Sequence, residues 1–194
     1  TTKRPVHWIP ILAIVGAAFL LGQATAQEQG GMSTPPWMKQ TDEHKRLAAS
    51  VGEFDVAGEL WLAPGGQPMP YQATAKRELV LGGNYLKETL HGTWQGQPFV
   101  GWLFSGYDTV RKRHFNIWMD NASPVPSIAL GGEKEGQLDF VGEEPHPFTG
   151  KLTKSASTVE TNEEGHTVVS MFWVQPDGTR QIHMRLTYRP RKSE

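Results

Sequence analysis

Apolar and polar residues alternate along the chain from Gly52 onward, with the period of two that is typical of half-buried β-strands. Turn sequences such as TNEEG and QPDG, which offer a glycine for a positive φ, separate the alternating segments. The pattern predicts ten strands, at residues 53–62, 71–81, 85–93, 97–108, 113–120, 127–134, 137–142, 151–160, 166–174 and 180–189. In the last of them, the pattern places Ile182, Met184, Leu186 and Tyr188 on one face.

One short helix is predicted before the first strand. Thr41 suits the N-cap, and Asp42 and Glu43 fall in the first turn, where carboxylates suit the helix dipole. Ten consecutive short strands with tight turns indicate an antiparallel meander, and closure of such a meander removes its exposed edges. We therefore predict an all-β fold, an up-and-down barrel of about ten strands, with a two-sheet sandwich as the alternative.

The front of the chain follows a different pattern. Lys3 and Arg4 precede an apolar run over residues 6–22, and a small-residue site, Ala24-Thr25-Ala26, follows it. This order is typical of a secretory signal that is cleaved after Ala26. However, the run and the small residues that follow it come to about 20 residues, and a helix of that length spans about 30 Å, the hydrocarbon thickness of a bilayer. The apolar core of a signal is usually shorter, roughly 7–15 residues.

Retention or cleavage of this segment decides where the protein is located. We predict a retained, single-pass transmembrane helix within residues 1–26, with the N-terminus in the cytoplasm because of its two positive charges. An extended linker at 27–40 and a barrel domain at 41–194 would then lie in the periplasm. Cleavage would instead give a secreted or periplasmic protein. The side chains expected to anchor the helix in the cytoplasmic membrane are Trp8, Ile11, Leu12, Ile14, Val15, Phe19, Leu20 and Leu21.

Composition narrows the classes of function. The chain has no cysteine, which excludes disulfides, thiolate metal sites and a lipoprotein anchor. After residue 26, 17 Lys and Arg stand against 20 Asp and Glu, a net charge near −3, and no basic run is long enough for a nucleic-acid footprint. We therefore predict no DNA or RNA partner.

Several motifs resemble a bacterial protein family. Over about residues 44–189, the chain resembles the family catalogued as domain of unknown function 1579. The segments that carry the resemblance are VGEF after the predicted helix, LVLGGNYLKE, GQPFVGWLFSGYD, FNIWMD and a closing LTYRPR. The resemblance implies a calycin-like, lipocalin-like β-barrel and supplies no reaction. Phe54 stands where the family usually has a tryptophan. The most specific pieces are Gly82-Gly83, Gly106-Tyr107-Asp108 and Trp118-Met119-Asp120.

Candidate catalytic and metal-binding residues form no recognisable motif. No two of the seven histidines have the i,i+2 or i,i+4 spacing of a metal pair, and we predict neither a metal nor a cofactor. The chain has no nucleophile elbow, phosphate loop or zinc-protease motif. A single haem-ligating histidine in a barrel mouth, His91 or His183, is a minor alternative. An enzyme of unknown reaction that uses Asp120 and His91 is another.

The aromatic residues suggest a possible binding cavity. Aromatic side chains inside a barrel normally fill it, but a barrel of about ten strands is wide enough to hold one small ligand. A fully filled core is therefore the first expectation, and the alternative is a residual cavity for a small apolar or amphipathic ligand, whose polar group would be Arg77 or Arg185. The predicted apolar lining residues are Trp102, Phe104, Tyr107 and Trp118.

These observations together predict a non-catalytic role. A membrane anchor, an exported barrel and the absence of catalytic motifs favour an accessory or structural subunit in contact with the lipid bilayer. It would dock on a larger membrane protein complex (respiratory, photosynthetic or transport) through the N-terminal helix and the linker, where Trp37 is the candidate docking side chain. The alternative is a soluble secreted barrel that binds a small apolar ligand such as a lipid, a pigment or a haem-like molecule.

Overall fold

Ten antiparallel strands follow one short helix in the structure, a computed structural model that describes residues 33–63, 65–146 and 149–191. A single turn of 3-10 helix, Pro36–Met38, precedes the helix α1 (Asp42–Ala49). The strands are β1 (Gly52–Leu60), β2 (Met69–Val80), β3 (Tyr85–Trp94), β4 (Gln97–Asp108), β5 (Arg113–Asp120), β6 (Ser127–Lys134), β7 (Gln137–Pro145), β8 (Leu152–Thr161), β9 (Thr167–Val174) and β10 (Arg180–Pro190). All ten predicted strands are confirmed, with ends that differ by a few residues.

The strands form a closed up-and-down barrel. Each strand pairs with its neighbours in sequence, and β1 pairs with β10 in an antiparallel ladder from Phe54↔Pro190 to Leu60↔Met184. The predicted barrel is therefore confirmed, and the sandwich alternative is wrong. Closure satisfies the backbone groups that the first and last strands would otherwise expose.

The predicted anchor at 1–26 and the first residues of the predicted linker lie outside the described residues. Within the part of the chain that the structure describes, no helix is long and apolar enough to cross a membrane. The anchor and the location that depends on it therefore stay predictions.

One side of the β1–β2–β10 wall forms the apolar core. Paired residues in a sheet point to the same face, so that Val56, Ala73 and Tyr188 meet inside the barrel. Val56 is 2% exposed and Tyr188 is 4% exposed. The buried cluster consists of Phe54, Val56, Ala75, Leu186 and Tyr188.

A bulge in β10 changes which of its side chains face inward. Met184 pairs with Met171, whereas Ile182 pairs with Phe172, the next residue of β9. Adjacent residues of a strand point to opposite faces, so Met184 points inward and Ile182 outward. The predicted apolar face of this strand is correct for Met184, Leu186 and Tyr188 and wrong for Ile182, because the extra residue at the bulge shifts the alternation by one.

Helix α1 packs at the barrel end where β1 begins. The Thr41 backbone N–H donates to His44 Nδ1 at 3.0 Å, which closes the first turn in the manner of a capping box. The His44 ring then meets Tyr107 of β4 edge to face, with ring centroids 6.2 Å apart. An exposed pair, Arg46 with Glu133 of β6 at 2.9 Å, adds a second contact.

His114 of β5 ties this helix to the barrel interior. Its Nε2 atom lies 3.2 Å from the Glu43 carboxylate, and its ring contacts Tyr107 and Phe140. The residue is only 7% exposed. Burial lowers the pKa of His114 below its usual 6.5, and the Glu43 carboxylate only partly opposes this effect.

We expect the barrel to lose stability as the pH falls below 6.5, with His114 as one source. Its pKa is lower in the folded than in the unfolded chain, so the unfolded chain binds more protons and the stabilisation present above pH 6.5 is lost below it. Thermal unfolding followed by circular dichroism should show Tm falling by a few degrees between neutral pH and pH 5. In a domain of this size each kcal/mol corresponds to about 2–4 °C.

The substitution His114→Gln should reduce this pH dependence, because glutamine does not titrate. His91→Gln is the matched control, since His91 is exposed. If Tm falls equally with pH in His114→Gln and in the unsubstituted chain, the loss of stability does not come from His114.

Candidate functional site

The predicted polar group Arg77 lies inside the barrel, already paired. Its Nε donates to Glu88 Oε2 at 2.6 Å, and the Tyr188 hydroxyl donates to the other oxygen of Glu88 at 3.1 Å. The Arg77 guanidinium lies 4.2 Å from the centroid of the Tyr188 ring and 4.9 Å from that of Phe54. Arg77, Glu88 and Tyr188 form a closed polar network that we call the Arg77 triad.

Burial and charge have opposite effects on this network. Burial disfavours the charge of Arg77, but the neighbouring Glu88 and Tyr188 together more than offset this effect, so that the pKa of Arg77 is raised. Burial, reinforced by the Glu88 charge, raises the pKa of Tyr188 well above 10, which keeps its hydroxyl a donor. Glu88 is 1% exposed. The triad therefore satisfies its own charges and holds the barrel wall together.

Two of the predicted lining residues point into the barrel. Tyr107 pairs with His114, and Trp118 pairs with Leu103, on the inner face. The Trp118 ring lies over Gly101, where a Cβ atom would come within 2.2 Å of it, so only glycine fits. Trp118 Nε1 donates to Asp120 at 2.7 Å, and its ring stacks on Phe99.

The other three predicted site residues point outward. Trp102 pairs with Thr89 and Met119, and Phe104 with Lys87 and Ile117, on the outer face. Arg185 also points outward, where its Nε lies 3.4 Å from the Ser170 hydroxyl. The six predicted residues are thus divided between the two faces of the barrel wall and do not line one common cavity. Their role in ligand binding stays a prediction.

Trp102 and Phe104 belong to an apolar area on the outer wall. Strand pairing brings neighbouring apolar side chains together there, for example Ile117 with Ile128 and Leu130 with Val141. Ile128 is 54% exposed and Val141 is 52% exposed. We call this area the β4–β7 face, and it consists of Trp102, Phe104, Ile117, Met119, Ile128, Leu130 and Val141.

The opposite part of the outer wall is polar. Asp55 of β1 pairs with Thr74 of β2, which pairs with His91 of β3. The outward positions of these three strands also include Glu53, Glu59, Gln72, Lys76, Glu78, Lys87 and Thr89. The outer wall is therefore apolar over β4–β7 and polar over β1–β3.

The sequence contains a feature that indicates the β4–β7 face, although it departs from strict alternation. In β4 the segment Phe99–Phe104 has apolar residues at both inward and outward positions, and β5 does the same from Phe115 to Met119. A strand that is apolar on both faces is normally covered on both faces.

A cavity of about 590 Å³ opens at the barrel end opposite α1. Trp173 lies in its wall between two imidazoles, His146 at 5.0 Å and His183 at 4.7 Å between ring centroids. Gln181 Nε2 is buried there and donates to no group of the described residues. The described residues that line the cavity are Leu62, Ala63, His146, Thr153, Trp173, Gln175 and Gln181.

The residues of the two minor alternatives, His91, Asp120 and His183, lie in different parts of the barrel. His91 pairs with Val100 and points outward, whereas Asp120 pairs with the adjacent Gly101 and points inward, so these two side chains do not meet. His183 lies beside the open cavity, 3.2 Å from Glu144. Over the described ranges, no three His, Asp or Glu side chains come together as a metal site.

The chain matches a protein-family model over residues 39–190, more than half of its length. The chain belongs to the family described as "Protein of unknown function (DUF1579)". The resemblance seen in the sequence is therefore confirmed. A search of curated proteins finds no match to the chain.

The three motifs that carried the resemblance have structural roles in this member of DUF1579. Gly82 and Gly83 adopt positive φ values of 72° and 85° in the β2–β3 turn. Asp108 Oδ1 accepts hydrogen bonds from the Val110 and Arg111 N–H groups, and Asp120 does the same for the turn after β5. Both aspartates therefore cap the turns that follow their strands.

We expect Arg77→Met to destabilise the protein by about 3–5 kcal/mol, because it leaves the Glu88 carboxylate buried without its cation. The double substitution Arg77→Met and Glu88→Leu should recover much of this loss, since it removes both charges. The free energy of unfolding in urea measures both effects. A double variant that is as unstable as the sum of the single variants would contradict the coupling of the triad.

Proposed function

We propose that this DUF1579 protein is a non-catalytic accessory subunit of a larger membrane protein complex. The apolar run at residues 6–22 would hold it in the membrane, and the β4–β7 face would dock on the complex. The observation that carries the proposal is the β4–β7 face itself, an exposed apolar area on a barrel whose outer wall is polar over β1–β3. Monomeric soluble proteins rarely leave such an area uncovered.

The barrel topology directs any partner to a face of the wall. Closure by β1 and β10 leaves no free strand edge for β-augmentation, so association has to use side chains. The β4–β7 face spans three strand-to-strand spacings, about 15 Å, which suits the apolar centre of a standard interface.

Polar groups border the face, as at known interfaces. The Lys87 ammonium lies 5.0 Å from the Trp102 ring centroid and also pairs with Glu78 at 3.8 Å. Glu143 of β7 pairs with Ile128 in the register and lies at the opposite border. An apolar centre with a charged rim is the usual arrangement of a protein–protein contact.

A membrane complex is the partner class that the sequence favours. An apolar run of bilayer length in the same chain would concentrate the barrel next to membrane proteins. The competing occupant of the β4–β7 face is the chain's own residues 1–32. The following experiment distinguishes this occupant from a membrane protein.

We expect Ile128→Lys to release the protein from its complex, because it places a charge within the apolar contact. Membranes from the source cells, solubilised in mild detergent, would be separated by native electrophoresis. The unsubstituted protein should migrate with identified subunits of a membrane complex, well above its own 21.6 kDa. The variant should migrate alone, with at least about tenfold less in the complex.

The matched control is Gln72→Lys, which adds the same charge at an exposed position of β2. Neither substitution should change the stability of the isolated chain by more than about 0.5 kcal/mol. A protein that migrates alone without any substitution would contradict the proposal. A marked loss of stability in isolated Ile128→Lys would instead identify residues 1–32 as the occupant.

Small-ligand binding is a second candidate, favoured by the open cavity. Its volume of about 590 Å³ suits a small ligand, and Gln181 Nε2, which has no acceptor among the described residues, offers a donor inside it. Native mass spectrometry of protein purified from its own cells should then show a bound mass. That mass should be lost in Gln181→Leu and kept in Gln72→Leu, and its absence from the unsubstituted protein would contradict this candidate.

A further inference from the structure

The barrel end that carries α1 has exposed apolar side chains of its own, separate from the β4–β7 face. Leu81 in the β2–β3 turn is 74% exposed, and Val110 in the β4–β5 turn is 67% exposed. Trp37 and Met38 are also more than half exposed, although both are large and apolar. We call these four side chains the end patch.

Hydrogen bonds hold the end patch together. The Thr109 hydroxyl donates to the Trp37 carbonyl, which fixes the 3-10 turn against the β4–β5 turn. The Gln40 amide donates to the Gly82 carbonyl at 2.8 Å and to Asn84 at 3.2 Å, which fixes the same segment against the β2–β3 turn. The side chains of the end patch are therefore carried by a backbone that these hydrogen bonds hold in place.

Unpaired cations lie among these apolar tips. Lys39 follows Met38, and Lys112 and Arg113 follow Val110 in the β4–β5 turn. Over the described ranges none of these three cations has a carboxylate partner, whereas Lys45, Arg46 and Arg111 are all paired. The carboxylates of Asp42, Glu43 and Asp108 also lie at this end, but they pair with Lys45, Arg46 and Arg111. Three further acidic residues, Glu135, Glu163 and Glu164, lie in the β6–β7 and β8–β9 turns on its other side.

We propose that the end patch rests on the surface of an anionic phospholipid bilayer. Trp37, Met38, Leu81 and Val110 would enter the interfacial layer, and Lys39, Lys112 and Arg113 would contact the lipid phosphates. Tryptophan is enriched at this depth of a membrane, and each Lys or Arg near an anionic surface adds to the attraction. The acidic turns on the other side would tilt away from it.

The position of the patch along the chain supports a bilayer as the occupant. The patch begins at Trp37, and the apolar run of bilayer length ends at residue 22. The intervening residues, fully extended, reach at most about 50 Å, which keeps this barrel end within reach of the membrane that holds the run. The inference rests on the proposed membrane location and not on the β4–β7 face.

The absence of cysteine allows a direct test with single labels on the full chain. Val110→Cys, carrying an environment-sensitive fluorophore, would be reconstituted into vesicles of phosphatidylcholine with or without phosphatidylglycerol. With phosphatidylglycerol present, we expect a blue shift and roughly twofold quenching by lipids spin-labelled near the headgroup, as for other interfacial segments. Gln95→Cys, in the β3–β4 turn at the opposite end, should show neither change.

A charge variant tests the second half of the inference. Lys39→Gln with Lys112→Gln should reduce the quenching at Val110→Cys to its value in phosphatidylcholine alone, and high salt should do the same. Lys151→Gln with Lys154→Gln removes the same charge elsewhere on the barrel and should leave the quenching unchanged.

Three results would overturn the inference. A label at residue 110 that stays in water in anionic vesicles would show that the patch does not reach the lipid. A blue shift without lipid quenching would show that protein covers the patch. Quenching that is equal in the charge variant would show that anionic lipid is not recognised. A chain that fails to enter vesicles at all would instead remove the proposed membrane location, and this inference with it.

Discussion

The pairing of β1 with β10 is the interaction on which the rest of the structure depends. It joins the first and last strands of the meander over a continuous ladder, so that no strand edge is left open. It also brings Tyr188 of the last strand to Glu88, a hundred residues earlier in the sequence, and thereby completes the Arg77 triad. Without closure, Glu88 would lose one of its two partners, and a buried charge would lack a hydrogen bond.

Closure separates the protein into an inside and an outside with different chemistry. Inside, the Arg77 triad pairs its own polar groups toward the α1 end, and the Trp118 indole donates to Asp120 toward the other end. At the other end the cavity contains Gln181 Nε2, which has no acceptor among the described residues, and the stacked rings of Trp173 and His183. Outside, the wall is polar over β1–β3 and apolar over β4–β7. The described part of the barrel thus combines an exposed apolar area on its side wall with a cavity at the end opposite α1.

The β4–β7 face and the end patch lie on different parts of the barrel. The face lies on the side wall, and the patch lies on the end where α1 packs. A barrel that stands with this end toward a bilayer presents its side wall to whatever protein lies next to it in the membrane. The two proposals are therefore compatible in geometry, although each uses its own residues and can fail alone.

The sequence by itself determined the strands, the turns and the leading helix, because these depend on local alternation and on glycine and aspartate at turns. The motif resemblance likewise predicted the family correctly. Site residues could not be predicted in the same way. Strand register decides which of Trp102 and Trp118 points inward. A single bulge places Ile182 on the opposite face from Met184. The pairing of Arg77 with Glu88 and the joining of Trp37, Leu81 and Val110 at one end were decided only by the tertiary structure, because those contacts link strands and turns that lie far apart in the chain.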